Sequence, residues 1–100
     1  MIKNKMRPIH PGEILREEYL EPLGISANAL SLALRVPATR IGDILKERRS
    51  ITPDTALRLA KYFKTDPQSW LNLQIDYDLK LAIERHGSEI DRDVHPMAVT

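Results

Sequence analysis

The sequence predicts an all-α domain organised around a helix-turn-helix, and three observations support this prediction. Apolar residues recur at helical spacing through most of the 100 residues, a length that suits one domain with a modest core. Helix-start signals recur at Ser26, at Thr52-Pro53 and at Asp66-Pro67. Residues 26–45 form a short helix, a turn and a second helix, the plan in which the second helix enters the major groove of DNA.

The composition is that of an ordinary globular protein, with 42% hydrophobic and 29% charged residues. The sequence contains no cysteine, no apolar run of membrane-spanning length and no signal peptide, so we expect a cytoplasmic protein without disulfides. Five basic residues accompany two acidic ones in 35–49, whereas six acidic residues accompany three basic ones in 76–93. This asymmetry predicts different partners for the two parts of the chain.

The first helix is expected to follow a flexible arm, residues 1–9, which is basic and has no periodicity. The helix should begin near Glu13, with acidic residues in its early turns. Glu21-Pro22 should end it, because a residue that precedes proline disfavours the helical conformation. Gly24 then turns the chain towards the next helix.

The helix-turn-helix should begin at Ser26, whose hydroxyl can accept from the free amides of the first turn. Pro37 fits the first turn of the second helix, where its missing N–H does no harm. The second helix places Ile41 and Ile44 on one side. The residues of its other side are short or polar: Ala38, Thr39, Arg40 and Asp43.

Two further helices are predicted after a basic loop, residues 46–50. One starts at Thr52-Pro53, and the last runs over 67–86, where Gly87 should stop it. We therefore expect one domain over residues 10–86, followed by a flexible tail over 87–100.

The last helix carries two apolar stripes at 100° per residue, although a helix packed on one core needs only one. The second stripe suggests a homodimer contact, and the alternative is a helix clamped inside its own domain. Either stripe could face the partner. The first consists of Trp70, Leu73, Tyr77 and Leu81; the second, which we predict to be the dimer interface, consists of Leu71, Ile75, Leu79, Ala82 and Ile83.

Several blocks of the sequence, in this order, resemble HigA-type antitoxins of type II toxin–antitoxin systems, which belong to the XRE (Cro/CI-like) helix-turn-helix class. The resemblance extends from about residue 10 to residue 79. The blocks are His10-Pro11-Gly12-Glu13-Ile14-Leu15, residues 21–26, Arg35-Val36-Pro37, residues 49–60 and Trp70-Leu71-Asn72-Leu73-Gln74.

The resemblance implies a five-helix, lambda-repressor-like domain that dimerises and represses its own operon by binding double-stranded operator DNA. It also implies a HigB-like partner toxin, a RelE-like mRNA endonuclease, which the antitoxin neutralises. By position, the residues that contact bases would be Ala38, Thr39, Arg40 and Asp43. Those that contact phosphates would be Ser26, Asn28, Lys46, Arg48 and Arg49.

Arg35 stands where the turn of this class commonly has glycine. A left-handed residue other than glycine costs about 1–2 kcal/mol. Either the turn has another shape, or Arg35 is tolerated because its side chain is useful near DNA, as a sixth phosphate contact.

Arg40 is the strongest candidate for a specific base contact, because a guanidinium can bind O6 and N7 of guanine together. The alternative is a solvated surface arginine. Asp43 could accept a hydrogen bond from cytosine N4, or it could orient Arg40. Arg48 and Arg49 could position the protein on phosphates or belong to a solvated loop.

Nothing in the sequence predicts an enzyme, a cofactor, a metal site, a small-molecule substrate or a membrane partner. Asp91, Asp93 and His95 lie in the predicted tail, without a scaffold that would fix the geometry of a metal site. Two alternatives to an antitoxin remain: a stand-alone phage-type repressor and an interaction module that has lost DNA binding.

Overall fold

The computed structural model describes residues 7–98, and all regular structure in that part of the chain is helical. This confirms the predicted all-α fold. Helix α1 is continuous through three segments, Pro11–Ile14, the π-helical Leu15–Leu20, and Glu21–Leu23. The other four helices are α2 (Ala27–Leu34), α3 (Ala38–Leu45), α4 (Pro53–Phe63) and α5 (Pro67–Asp93).

The core lies where the first four helices meet the start of α5. Each of α1 to α4 contributes a fully buried aliphatic residue, and Trp70 of α5 is 2% exposed. The indole N–H of Trp70 donates to the Thr65 hydroxyl over 2.8 Å, so this polar group is satisfied at the edge of the core. Within residues 7–98, no helix is both long and apolar enough to cross a bilayer.

Three of the predicted helix starts are confirmed by side-chain caps. The Ser26 hydroxyl accepts from the Ala29 amide at 3.0 Å, and the Thr52 hydroxyl lies 3.4 Å from the Thr55 amide. The Asp66 carboxylate accepts from the Ser69 amide at 3.1 Å. Each cap satisfies one of the free amides that begin a helix. Pro37 differs slightly from expectation, because it is the extended residue before α3 rather than the first helical one.

Helix α1 differs from the prediction at both ends. It begins at Pro11, before Glu13, because His10 Nδ1 accepts from the Gly12 amide and caps the helix. It also continues through Glu21-Pro22 and ends at Gly24, which has φ +65°.

A π-helical turn explains why Pro22 does not end the helix. The Glu21 amide donates to the Arg16 carbonyl, five residues back, so the turn before the proline holds one extra residue. The wider turn relieves the contact that a proline ring makes with the carbonyl four residues earlier in a regular helix. The same turn brings Leu15 and Leu20 into one core, although at 100° per residue they would lie about 140° apart.

Helix α5 extends beyond the predicted boundary at residue 86, which was wrong. Gly87 remains helical, and Gly24 is the one glycine with positive φ in the described chain. One glycine inside a helix costs only about 1 kcal/mol relative to alanine, so it need not end the helix. The predicted tail is therefore helical as far as Asp93, and the Val94 amide still donates to the Ile90 carbonyl.

Residues 1–6 of the predicted N-terminal arm lie outside the residues that the structure describes. Arg7 is described and forms two hydrogen bonds to the Glu13 carboxylate, at 3.0 and 2.7 Å. The segment just before α1 is thus joined to the helix by an ion pair.

Helix α1 packs closely on the C-terminal end of α3. A Cβ atom on Gly12 would lie 1.9 Å from the Ile44 carbonyl oxygen, so only glycine fits this approach. Arg16 Nη1 donates to the Leu45 carbonyl at 2.7 Å and satisfies a free carbonyl at the end of α3. These two contacts hold α3, the second helix of the helix-turn-helix, against α1.

Candidate nucleic-acid interface

Of the predicted base-contacting residues on α3, Ala38, Thr39 and Asp43 lie away from its buried side, and Arg40, one turn before the buried Ile44, lies at the edge of that side. Ile41 and Ile44 are fully buried and hold the helix on the core. Ala38 and Thr39 are exposed in its first turn, whereas Arg40 and Asp43 are half-buried. The small first-turn side chains leave the backbone of α3 open to a close approach.

The turn between α2 and α3 keeps its left-handed shape without glycine. Arg35 has φ +60° and ψ +44°, and its amide donates to the Leu32 carbonyl. The Val36 amide donates to the Ser31 carbonyl at 3.0 Å, so the end of α2 is capped. The side chain of Arg35 is exposed. Of the two explanations offered above, a differently shaped turn is therefore wrong.

The predicted phosphate contacts lie at the start of α2 and in the loop after α3. Ser26 and Asn28 are exposed, and Ser26 also caps α2. The basic side chains of the loop are exposed as well: Lys46, Arg48 and Arg49.

A buried glutamine holds the far end of this basic loop. Gln74 of α5 is 5% exposed, and its Oε1 accepts from the Ile51 amide at 2.8 Å. Its Nε2 donates to Asp78 Oδ1 at 3.0 Å, which satisfies the amide. From the sequence, Gln74 was noted only in the block Trp70-Leu71-Asn72-Leu73-Gln74, and its contact with the Ile51 amide was not predicted.

Arg40 and Asp43 do not contact each other. Asp43 pairs with Arg49, at 3.6 Å between Oδ2 and Nη2, so the suggestion that Asp43 orients Arg40 is not supported. Arg40 Nη1 instead donates to Asp54 Oδ2 at 2.7 Å. Asp54 stands in the first turn of α4, and its contact with Arg40 was not predicted from the sequence.

The carboxylate of Asp54 also receives Arg58. Arg58 Nε donates to the same Oδ2 at 2.9 Å, and Arg58 Nη1 donates to the Leu34 carbonyl at 2.8 Å. Hydrogen bonds from Arg58 and then Arg40 hold the pKa of Asp54 below its usual value, so the carboxylate is ionised at neutral pH. The spacing of four between Asp54 and Arg58 was visible in the sequence, but the contact to Arg40 depends on tertiary packing.

The two stripes of α5 have different surroundings. Trp70 is buried, Leu73, Tyr77 and Leu81 are half-buried, and the Tyr77 ring lies edge-on to His10 with centroids 4.8 Å apart. The stripe that contains these four residues therefore packs on its own domain.

The stripe predicted to form the dimer is mostly free. Leu71 packs against the domain's own core, whereas Ile75 is 58% and Leu79 is 57% exposed. From Leu79 towards the C-terminal end of α5, the same face forms an apolar groove of about 200 Å³. The groove is lined by Leu79, Ala82, Ile83, Gly87 and Ile90. The apolar face thus continues past the predicted boundary.

A family model described as helix-turn-helix matches residues 17–70. Virulence-associated protein I of Dichelobacter nodosus is 64% identical over 80 residues, which cover 80% of this chain and 74% of that protein. Antitoxin HigA-1 of Vibrio cholerae is 34% identical over 100 residues, 100% of this chain and 93% of that protein.

Solved structures with the same fold include proteins bound to DNA. An addiction module antidote protein of the HigA family from Coxiella burnetii has a TM-score of 0.88 and 53% identity, and covers 92% of this chain and 100% of its own. Antitoxin HigA of Pseudomonas aeruginosa, solved with the higBA promoter, has a TM-score of 0.89 and 47% identity, with the same coverage of both chains.

Proposed function

Because the chain belongs to the XRE-type helix-turn-helix family and resembles its HigA-type antitoxins, which are DNA-binding regulators rather than enzymes, we propose that it represses its own promoter as a homodimer and neutralises a RelE-like mRNA endonuclease. The observation that carries this proposal is the accessible side of α3, with exposed Ala38 and Thr39 followed by Arg40. A similar chain, Pseudomonas aeruginosa HigA, has been solved with the higBA promoter, which supports promoter binding by this chain.

In the proposed complex, α3 enters the major groove and Arg40 binds a guanine. Arg48 and Arg49 neutralise phosphates and position the protein without reading sequence. The dimer would read an inverted repeat with half-sites about 34 Å apart or a multiple of that distance, because dimer symmetry is mirrored in the operator.

A titration of promoter and scrambled duplexes at several salt concentrations tests these roles. Arg40→Ala should cost about 1–3 kcal/mol per half-site and relax the preference at one base pair. Arg48→Ala or Arg49→Ala should weaken binding to all sequences alike and reduce the salt slope by about one per lost contact. Equal losses on both duplexes for Arg40→Ala would show that Arg40 does not read a base.

The homodimer is proposed to form through the free apolar face of α5. Ile75→Asp or Leu79→Asp should release monomers that stay helical, because each change places a charge on an exposed apolar position. Leu73→Asp is the control on the stripe that packs on its own domain. Sedimentation of the wild type as a monomer at micromolar concentration would contradict the proposal.

The toxin is proposed to bind the acidic residues of α5, since toxins that cleave RNA are expected to be basic and would meet complementary charge there. The exposed acidic residues are Asp76, Asp78, Glu84, Glu89 and Asp91. The adjacent gene should be toxic when expressed alone and harmless when expressed with this chain. A neighbour that is harmless on its own would contradict the antitoxin role and leave the stand-alone repressor.

A further inference from the structure

The helix that we propose reads DNA is joined to α4 through a single carboxylate oxygen. Arg40 Nη1 and Arg58 Nε both donate to Asp54 Oδ2, at 2.7 and 2.9 Å. We propose that Asp54 is a positioning residue, which holds Arg40 in the orientation that reads a base and thereby sets operator specificity. This inference rests on the proposed function, in which Arg40 contacts a guanine.

Asp54 is suited to this role because its own position is fixed. Arg58, four residues later on α4, holds the carboxylate and reaches back to the Leu34 carbonyl at 2.8 Å. Leu34 is the last residue of α2, and Arg40 lies in the first turn of α3. The position of the carboxylate is therefore fixed relative to both helices of the helix-turn-helix, α2 and α3.

The contact leaves Arg40 able to bind a base. A guanidinium has five N–H donors, and Asp54 is bonded to the Nη1 group. Nη2 and Nε remain for the O6 and N7 acceptors of guanine. The Arg40 side chain is 29% exposed, so it is accessible although it is held. A side chain that is already ordered loses less conformational freedom when it binds.

Loss of the carboxylate should change what Arg40 binds. A free arginine beside DNA is attracted to phosphates, which carry no sequence information. A purely electrostatic role for Asp54 predicts that its neutralisation strengthens binding to every sequence by the same factor. A positioning role predicts instead that binding to the operator falls relative to binding to other DNA.

The experiment compares Asp54→Asn with Asp93→Asn in the full chain, using a duplex from its own promoter and a scrambled duplex. Asp93 is exposed at the C-terminal end of α5, so this control removes the same charge away from α3. Asp54→Asn should lower the promoter-to-scrambled affinity ratio by about fivefold or more per half-site, the lower end of what one bidentate base contact supplies. Asp93→Asn should leave the ratio unchanged.

Two further variants separate positioning from charge and from folding. Asp54→Glu keeps the charge but moves the carboxylate by one methylene, and it should also lower the ratio. In an Arg40→Ala background, Asp54→Asn should cause no additional loss of the ratio, because the residue that it positions is gone.

The proposal is overturned if Asp54→Asn keeps the wild-type ratio, or if it lowers the ratio equally when Arg40 is alanine. Thermal unfolding of each variant identifies a loss that comes from folding. A wild type that does not prefer its promoter would contradict the proposed function itself, and this outcome is visible before any variant is measured.

Discussion

Gly12→Ala is a direct test of the close packing between α1 and α3. The new Cβ would lie 1.9 Å from the Ile44 carbonyl oxygen, and separations below 3.0 Å are essentially never seen, so the two helices must move apart by at least 1.1 Å. The obstacle is backbone and cannot rotate away. Overpacking of this kind costs about 1–3 kcal/mol, against which alanine returns about 0.5–1 kcal/mol of helix propensity. We expect a net loss of up to about 2.5 kcal/mol, towards the upper end because the obstacle is backbone.

Thermal unfolding measures this effect, because 1 kcal/mol corresponds to about 4–8 °C in Tm for a domain of this size. Gly42→Ala is the matched control: a Cβ there meets no atom within 4 Å, so this variant should be neutral or more stable. Since the displaced helix is α3, Gly12→Ala should also weaken promoter binding more than its loss of stability explains. Equal Tm values for the two variants would refute the packing argument.

Two further predictions concern buried polar contacts. Gln74→Ala removes the acceptor of the buried Ile51 amide and should lower the free energy of unfolding by about 1–3 kcal/mol, measured by urea denaturation. Burial lowers the pKa of His10, against the opposing carboxylates of Glu47 and Asp78, so the unfolded chain binds the proton more readily. The free energy of unfolding should therefore be highest above pH about 6.5 and fall as the pH drops below that value. His10→Asn should flatten this part of the plot of urea midpoint against pH. An unchanged slope would rule out His10 as the source of the pH dependence.

Local signals predicted the helix starts because their cause is local. Ser26, Thr52 and Asp66 each cap an amide three residues later, so no distant residue is needed. The ends of α1 and α5 were misplaced because Pro22 and Gly87 have effects that depend on their surroundings. A π turn accommodates the proline, and α5 continues through the glycine without a left-handed residue.

The candidate interface was predictable in outline but not in its contacts. Helical spacing predicts the polar side of α3, and Ala38 and Thr39 are exposed there in the structure. The partner of Arg40 is 14 residues away, on another helix, and no local pattern distinguishes Asp54 from Asp43. The close packing at Gly12 was not predicted, because a close helix approach appears only when both helices are placed.

The π turn of α1 holds one residue more than an ordinary helical turn, and this residue keeps the two ends of the helix in phase. Gly12, before the turn, faces the end of α3, and Leu20, the last residue of the turn, faces the core. Deleting one residue from the turn would place Leu15 and Leu20 four residues apart, about 40° on a regular helix, so both contacts could still form. The regular turn would, however, bring the Pro22 ring against the carbonyl four residues before it. The extra residue therefore allows a proline inside this helix without separating its two packed faces.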